Sequence, residues 1–489
     1  MILALLLIPT VAGAAAFFLR PAGPRRAILT VTALAHAILT GATWSVEPSA
    51  ALRGWLALDA LGRIFLTITS LLFLAAALYA VGYLRREGHG ERKDFTEGFL
   101  FDNAPEATFT ACLLLFLAAM TLVTVSQAFG LLWVAVEATT LASAPLIYFH
   151  RHHRSLEATW KYLLICSVGI ALALLGNFFL AVAAADHSAT AVRLVLPDLL
   201  ARAGDLRVPW LKAAVILFLV GYGTKMGLAP LHARLPDAHS EAPSVVSALL
   251  SGALLNCAFL GIIRVQQVCT AAGQGAFGQE LLVVFGLLSM AVAAVFIPGQ
   301  NDYKRMLAYS SVEHMGILTL GIGLGAAGAF GGVLHTVNHA LTKAMLFLVA
   351  GNILTTYRSK SADDVRGLLR VLPWSGILWV AGLFAITGSP PFGCFLSEFT
   401  ILKAALDQGR AGVAMAYLTF LAVVFVGMAT TMLGMAQGRP AKRCMVPAKR
   451  EPLLGVAPAA ALAALALVLG VYVPPSLRAA IEQAAQLLG

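Results

Sequence analysis

The sequence predicts an all-α polytopic membrane protein with about fourteen transmembrane helices. Of its 489 residues, 59% are hydrophobic and 12% charged, and the mean hydropathy is +0.84. A soluble domain carries about twice that share of charge. The apolar residues gather in blocks of about twenty, the length a helix needs to cross the hydrocarbon core. These blocks are rich in Leu, Ala, Val and Gly and lack the alternation, over about ten residues, of a membrane β-barrel strand.

The first span, 2–19, reads as a transmembrane helix and not a secretory signal. It has no basic start, and Arg20, Arg25 and Arg26 follow it. Spans 27–46 and 60–84 complete an N-terminal three-helix segment with a cytoplasmic loop, residues 1–106. Five spans, 107–126, 129–149, 160–185, 211–231 and 243–263, fall within 107–264. Five more, 280–298, 305–326, 328–354, 373–405 and 411–436, fall within 280–436. A further cytoplasmic loop, the last span at 454–473 and a short tail make up 437–489.

Basic residues crowd into alternate loops. They are Arg85, Arg86, Arg92 and Lys93, then Arg151, Arg154 and Lys161, then Lys304 and Arg305. Arg358, Lys360, Arg366 and Arg370 follow, then Arg439, Lys442, Arg443, Lys449 and Arg450. The positive-inside rule makes these loops cytoplasmic and puts both termini outside. The net charge of +10 is thereby explained as topology, without a nucleic-acid partner. Cys112, Cys166, Cys257, Cys269, Cys394 and Cys444 are scattered singly, with no iron–sulfur spacing. His150, His152 and His153 sit beside Arg151 and Arg154 in a loop, which argues against a metal centre. With no glycine-rich phosphate motif either, neither a cofactor nor a metal is expected in this chain, and redox chemistry falls to a partner.

A charge within a spanning helix costs about 2.5–3.5 kcal/mol on insertion scales, so each one marks a candidate site. Glu137 lies midway along the fifth span, Lys225 within the seventh, Lys343 in HTVNHALTKAMLF and Glu398 in ITGSPPFGCFLSEF. The alternative for each is a structural ion pair or a shallower position. His335, His339 and Lys343 are spaced by four, which places them on one helix face about 6 Å apart in rise. Such a stack suits a proton relay, since imidazole takes up and gives up protons near neutral pH; capping of free carbonyls is the alternative. Gly221, Gly223, Gly227 and Pro230 interrupt the seventh span beside Lys225. Gly388, Pro390, Pro391 and Gly393 interrupt the twelfth before Glu398. Irregular backbone at membrane depth belongs where it is buried in protein or lines a cavity. Paired breaks five spans apart predict two inverted five-helix repeats with broken helices 7 and 12.

At these residues the sequence resembles a known family. The blocks KMGLAPLHARLPDAHSEAPSVVSALLSG and DYKRMLAYSSVEHMGIL resemble the antiporter-like subunits of respiratory complex I, Mrp-type antiporters and membrane-bound hydrogenases. The likeness runs from about Phe109 to Gly434, and HSEAPSVVSALLSGALLNC is most similar to component F of hydrogenase 4. The resemblance implies that Glu137 and Lys225 form an ion pair that opens and closes as protons pass. It places Lys343 and Glu398, with His335 and His339, on a central hydrophilic axis. His232 and Asp237 flank the seventh-helix break in structural or gating positions. Where complex I members often carry a lysine in the eighth helix, this chain has Asn256. The relay there crosses on water, or a histidine such as His314 or His339 takes over. The tail PPSLRAAIEQAAQLLG is too short for the long lateral helix of the largest complex I subunit.

The resemblance further implies iron–sulfur clusters, and a nickel–iron or quinone site, in partner subunits. Those partners are other membrane subunits and a peripheral cytoplasmic redox arm, in a prokaryotic cytoplasmic (inner) membrane. The expected function is proton translocation as a non-catalytic subunit of a redox-driven, hydrogenase-like or complex I-like assembly. Two alternatives stand beside it, a cation/proton antiporter that carries sodium and a proton channel coupled to a non-redox soluble partner. Moving one charge against 100 mV takes about 2.3 kcal/mol, which this chain must draw from elsewhere.

Overall fold

A computed structural model describes residues 1–87, 92–93, 98–185, 193–439 and 451–488. Lys442, Arg443, Cys444, Lys449 and Arg450, and the side chains of Arg92 and Lys93, lie outside the described residues. The apolar blocks fold as helices because a backbone in lipid must satisfy its own hydrogen bonds. In order these are α1 (Ile2–Phe18), α2 (Ala22–Ala42), α3 (Ala60–Arg86), α4 (Glu106–Val125), α5 (Phe129–Ile147) and α6 (His153–Ala184). The short α7 (Leu196–Ala201) precedes α8 (Val208–Met226), α9 (Arg234–Glu241), α10 (Ser244–Leu249) and α11 (Leu255–Ala271). Then come α12 (Gly275–Phe296), α13 (Tyr303–Gly323), α14 (Gly325–Tyr357), α15 (Leu368–Val371) and α16 (Pro373–Ile386). The last four are α17 (Gly393–Asp407), α18 (Ala411–Ala436), α19 (Leu453–Val471) and α20 (Pro475–Gln486). A two-residue antiparallel ladder, Arg92–Lys93 with Leu100–Phe101, lies between α3 and α4.

Each of the fourteen expected spans carries a helix. Among the described residues, ten helices are long and apolar enough to cross a membrane on length and composition. The seventh span was expected to reach residue 231, but α8 stops at Met226, where Gly227 takes a left-handed conformation (φ 88°). The rest of that span is the turn leading into α9. The twelfth is two helices, α16 and α17, parted at Thr387–Phe392. In the eighth, α10 and α11 run through a π-helical turn, Leu250–Leu254, which no sequence signal marked.

The buried centre is formed by α10, α11, α13 and α14, polar along parts of their length but shielded from lipid by the outer helices. Small residues set the closest approaches. A Cβ on Gly221 of α8 would lie 2.7 Å from the Gly169 carbonyl oxygen of α6, and one on Gly286 of α12 would lie 2.8 Å from that of Gly316 in α13. Backbones this close are the usual way membrane helices gain dispersion contacts. At the edge of the centre, Arg264 of α11 donates to both oxygens of Asp59, the N-cap of α3, at 2.5 and 2.6 Å.

Candidate functional site

The expected site residues of the membrane interior fall into two clusters. In the first, Glu137, Thr140 and Ser143 stand at steps of three along α5 and so share a face. The Thr140 hydroxyl donates to Glu137 Oε2 at 3.1 Å and accepts a hydrogen bond from Lys225 Nζ at the end of α8. The expected direct ion pair is therefore absent among the described residues, because Thr140 stands between carboxylate and ammonium. The Lys225 side chain is 1% exposed, while Glu137 is only half-buried. Lys225 lies over the Tyr162 ring of α6 at 5.5 Å, and the Tyr162 hydroxyl pairs with that of Ser143 at 2.7 Å.

The break that ends α8 is capped by a residue the sequence reading passed over. Buried Arg234, first in α9, donates to the Thr224 carbonyl at 3.1 Å and to that of Lys225. A guanidinium suits these carbonyls, which no further helical turn can satisfy. Asp237 pairs with Lys161 at 3.3 Å and Arg305 at 3.1 Å, tying α9 to α6 and α13. Glu241 pairs with Lys360 at 2.8 Å, and Lys304 Nζ donates to the carbonyls of Ser240 and Ala242. Burial pushes the Glu241 carboxyl up, but Lys360, helped by Lys304 and Arg154, holds it below its usual range. His232 is half-buried in the turn against the rings of Phe296 and Tyr309.

The second cluster lies on α13, α14 and α17. Lys343 Nζ donates to the Leu307 carbonyl at 2.7 Å and to the Ser310 hydroxyl. His314 Nδ1 and His335 Nε2 are 2.8 Å apart, and His335 Nδ1 meets Ser397 Oγ at 2.8 Å. Glu398 follows Ser397, with its Oε1 buried and without a partner. Gly388, at φ +64°, lies against the Glu398 carboxylate, and a Cβ there would stand 2.7 Å from its carboxyl carbon.

The expected stack His335, His339, Lys343 does share α14, and all three side chains are fully buried. Hydrogen bonding does not run down that face, however. Neither ring nitrogen of His339 has a partner, and the contacts instead cross from α14 to α13 and α17 through His314 and Ser397. His339 does pack its ring 5.1 Å from that of His314.

Asn256 lies two residues past the π-helical segment. Its amide donates to the Gly252 carbonyl at 2.7 Å, leaving Oδ1 unpartnered. Ser251, inside that segment, pairs with Ser311 at 2.8 Å, and Ser310 beside it holds Lys343. Serine hydroxyls thus lie near the interval that was expected to be crossed on water or through His314 or His339.

Sequence reasoning missed Glu313, buried in α13 and close enough to Lys343 and Glu398 to interact electrostatically with both. The insertion cost that singled out Glu137 applies equally to it. The loop histidines have structural work: His150 contacts Tyr83 and Asn103, and His152 caps the N-terminus of α6.

The NADH:quinone oxidoreductase/Mrp antiporter transmembrane family matches residues 126–426. A hydrogenase-4 component F homolog of Methylacidiphilum infernorum is 34% identical over 427 residues, 85% of each chain. Hydrogenase-4 component B of Escherichia coli is 28% identical over 73% of this chain, which spans 51% of that longer relative. A chain of the membrane-bound sulfane sulfur reductase, an archaeal respiratory membrane complex, superposes with a TM-score of 0.85 at 21% identity. That match covers 100% of this chain and 97% of the other.

Proposed function

Because the chain belongs to the NADH:quinone oxidoreductase/Mrp antiporter membrane family, we propose that it is a proton-translocating subunit of a redox-driven complex. It moves protons along Glu137, Thr140, Lys225, the serine-lined interval beside Asn256, Lys343 and the His314–His335–Glu398 cluster. The observation that carries this reading is the second cluster, where Lys343, His314, His335, His339, Glu313 and Glu398 are buried together in the bundle centre. Keeping so many ionisable groups out of water is costly, and packing alone offers no compensation.

The chain's own groups account for the steps. Glu137 stabilises the Lys225 ammonium through the Thr140 hydroxyl, whose single proton fixes the direction of the bridge. Arg234 fixes the carbonyl end of α8 and so holds the lysine in place. A shift of α9 against α8 would move Arg234 and the lysine together, breaking the bridge and freeing the proton to pass on. At the far end, imidazole-to-imidazole contact lets His314 and His335 pass a proton toward Ser397 and Glu398. Iron–sulfur clusters and a nickel–iron or quinone site belong to partner subunits in a peripheral cytoplasmic arm. The membrane is the prokaryotic cytoplasmic membrane, with both termini on its outer side.

The test is Lys225→Ala in the native complex. Assembly and electron transfer should persist while proton uptake into inverted vesicles is lost; undiminished uptake refutes the reading. Transport that requires sodium would replace it with cation/proton exchange.

A further inference from the structure

His314, His335 and Glu398 each offer one ligand atom, and the three atoms lie within 4.8 Å of one another. They come from α13, α14 and α17, so helix packing and not sequence spacing assembles them. Around them, His314 Nε2, Glu398 Oε1 and both nitrogens of His339 are buried without protein partners. Two imidazoles and a carboxylate make up a common open zinc ligand set, in which water or another donor completes the tetrahedron. Charge fits as well. Glu313 precedes His314 and is buried, so two carboxylates are at hand for a divalent cation. Imidazole donors favour zinc and its neighbours over magnesium or calcium, which take oxygen shells.

The separation of His314 Nδ1 and His335 Nε2, 2.8 Å, is that of a hydrogen bond. Two nitrogens on a tetrahedral zinc, at bonds of about 2.0–2.1 Å, would stand about 3.3 Å apart. An ion held by both nitrogens therefore excludes the proton they share. We propose that this cluster binds a divalent cation of the zinc class, and that the bound ion arrests proton passage by occupying the nitrogens that would carry it. The site rests on the cluster's geometry, whereas the arrest also rests on the proposed proton path.

The test takes the purified complex, wild type and with Glu398→Gln or His335→Gln, dialysed against micromolar zinc chloride. Elemental analysis should find one more zinc per chain in the wild type than in either variant, and zinc should inhibit proton uptake into wild-type vesicles at least tenfold. X-ray absorption at the zinc edge of the wild type should show only nitrogen and oxygen neighbours, a readout that stands even where a variant fails to assemble. Equal zinc in all three proteins, or sulfur ligation, overturns the site. An extra zinc with undiminished proton uptake overturns the arrest and leaves the site standing.

Discussion

Replacing Thr140 by valine isolates the bridge between Glu137 and Lys225. Valine keeps the shape of threonine, so packing changes little, but Lys225 loses its only hydrogen-bond acceptor among the described residues and Glu137 loses a donor. A hydrogen bond to a charged group contributes about 1.5–3 kcal/mol, and a buried donor left unpaired costs that much or more. At about 1.4 kcal/mol per factor of ten, the Thr140→Val complex should translocate protons about 10- to 100-fold more slowly. Thr140→Ser keeps the hydroxyl and should stay near wild type. Proton uptake into inverted membrane vesicles, followed with a pH-sensitive dye and normalised to assembled complex, measures both. Uptake by Thr140→Val within twofold of wild type would show that the hydroxyl is not in the path.

Three further outcomes follow from the same contacts. Gly388→Ala meets both a left-handed backbone, costing about 1–2 kcal/mol, and the Glu398 carboxylate, so translocation should fall by at least tenfold, read in the same vesicle assay. Arg264→Gln leaves behind an Asp59 carboxylate that is a third exposed and keeps the Gly62 N–H, so it should destabilise by about 1–3 kcal/mol, and adding Asp59→Asn should recover a good part of that. Additive losses in melting temperature would contradict it. Glu241 is held below the usual carboxylate range by Lys360, so its contribution is present above the ordinary glutamate value of about 4.3 and is lost as pH falls on from there through the lowered folded-state value. The gap in melting temperature between wild type and Glu241→Gln should hold steady down to about pH 5 and narrow progressively as pH falls further; a gap unchanged at low pH would count against the pairing.

Much of this architecture was legible in the sequence, for identifiable reasons. Hydropathy marks a helix in lipid because the backbone there has no alternative, and each of the fourteen blocks carries one. Gly227 and Pro390 marked the breaks because a left-handed turn and a missing donor are local properties. Lys225, Lys343 and Glu398 stood out through the cost of burying charge. Thr140, Ser310 and Ser397 did not, since a hydroxyl can bond its own helix and costs little in lipid. Their importance lies in which neighbouring helix they face, and that depends on rotation about axes the sequence does not specify. Arg234 escaped for a related reason: hydropathy reads the loop after α8 as an exit from the membrane, whereas the structure folds it back as α9 to cap the break. Glu313 was within reach of the same cost argument but sat beside a more conspicuous histidine.

The π-helical turn at Leu250–Leu254 makes the eighth span sensitive to length in a way it is not to substitution. Such a turn accommodates one residue more than an α-helix would. Deleting any single residue there would restore a regular helix and turn everything after it by about 100°, one residue's share of a 3.6-residue turn. Asn256 would swing to another face of the helix, and Arg264, two turns further on, would leave Asp59. One deletion would thus move a buried amide and break a buried arginine's ion pair at once, although it removes neither residue. Relatives aligned with a one-residue gap at this point should therefore differ together at positions 256, 264 and 59.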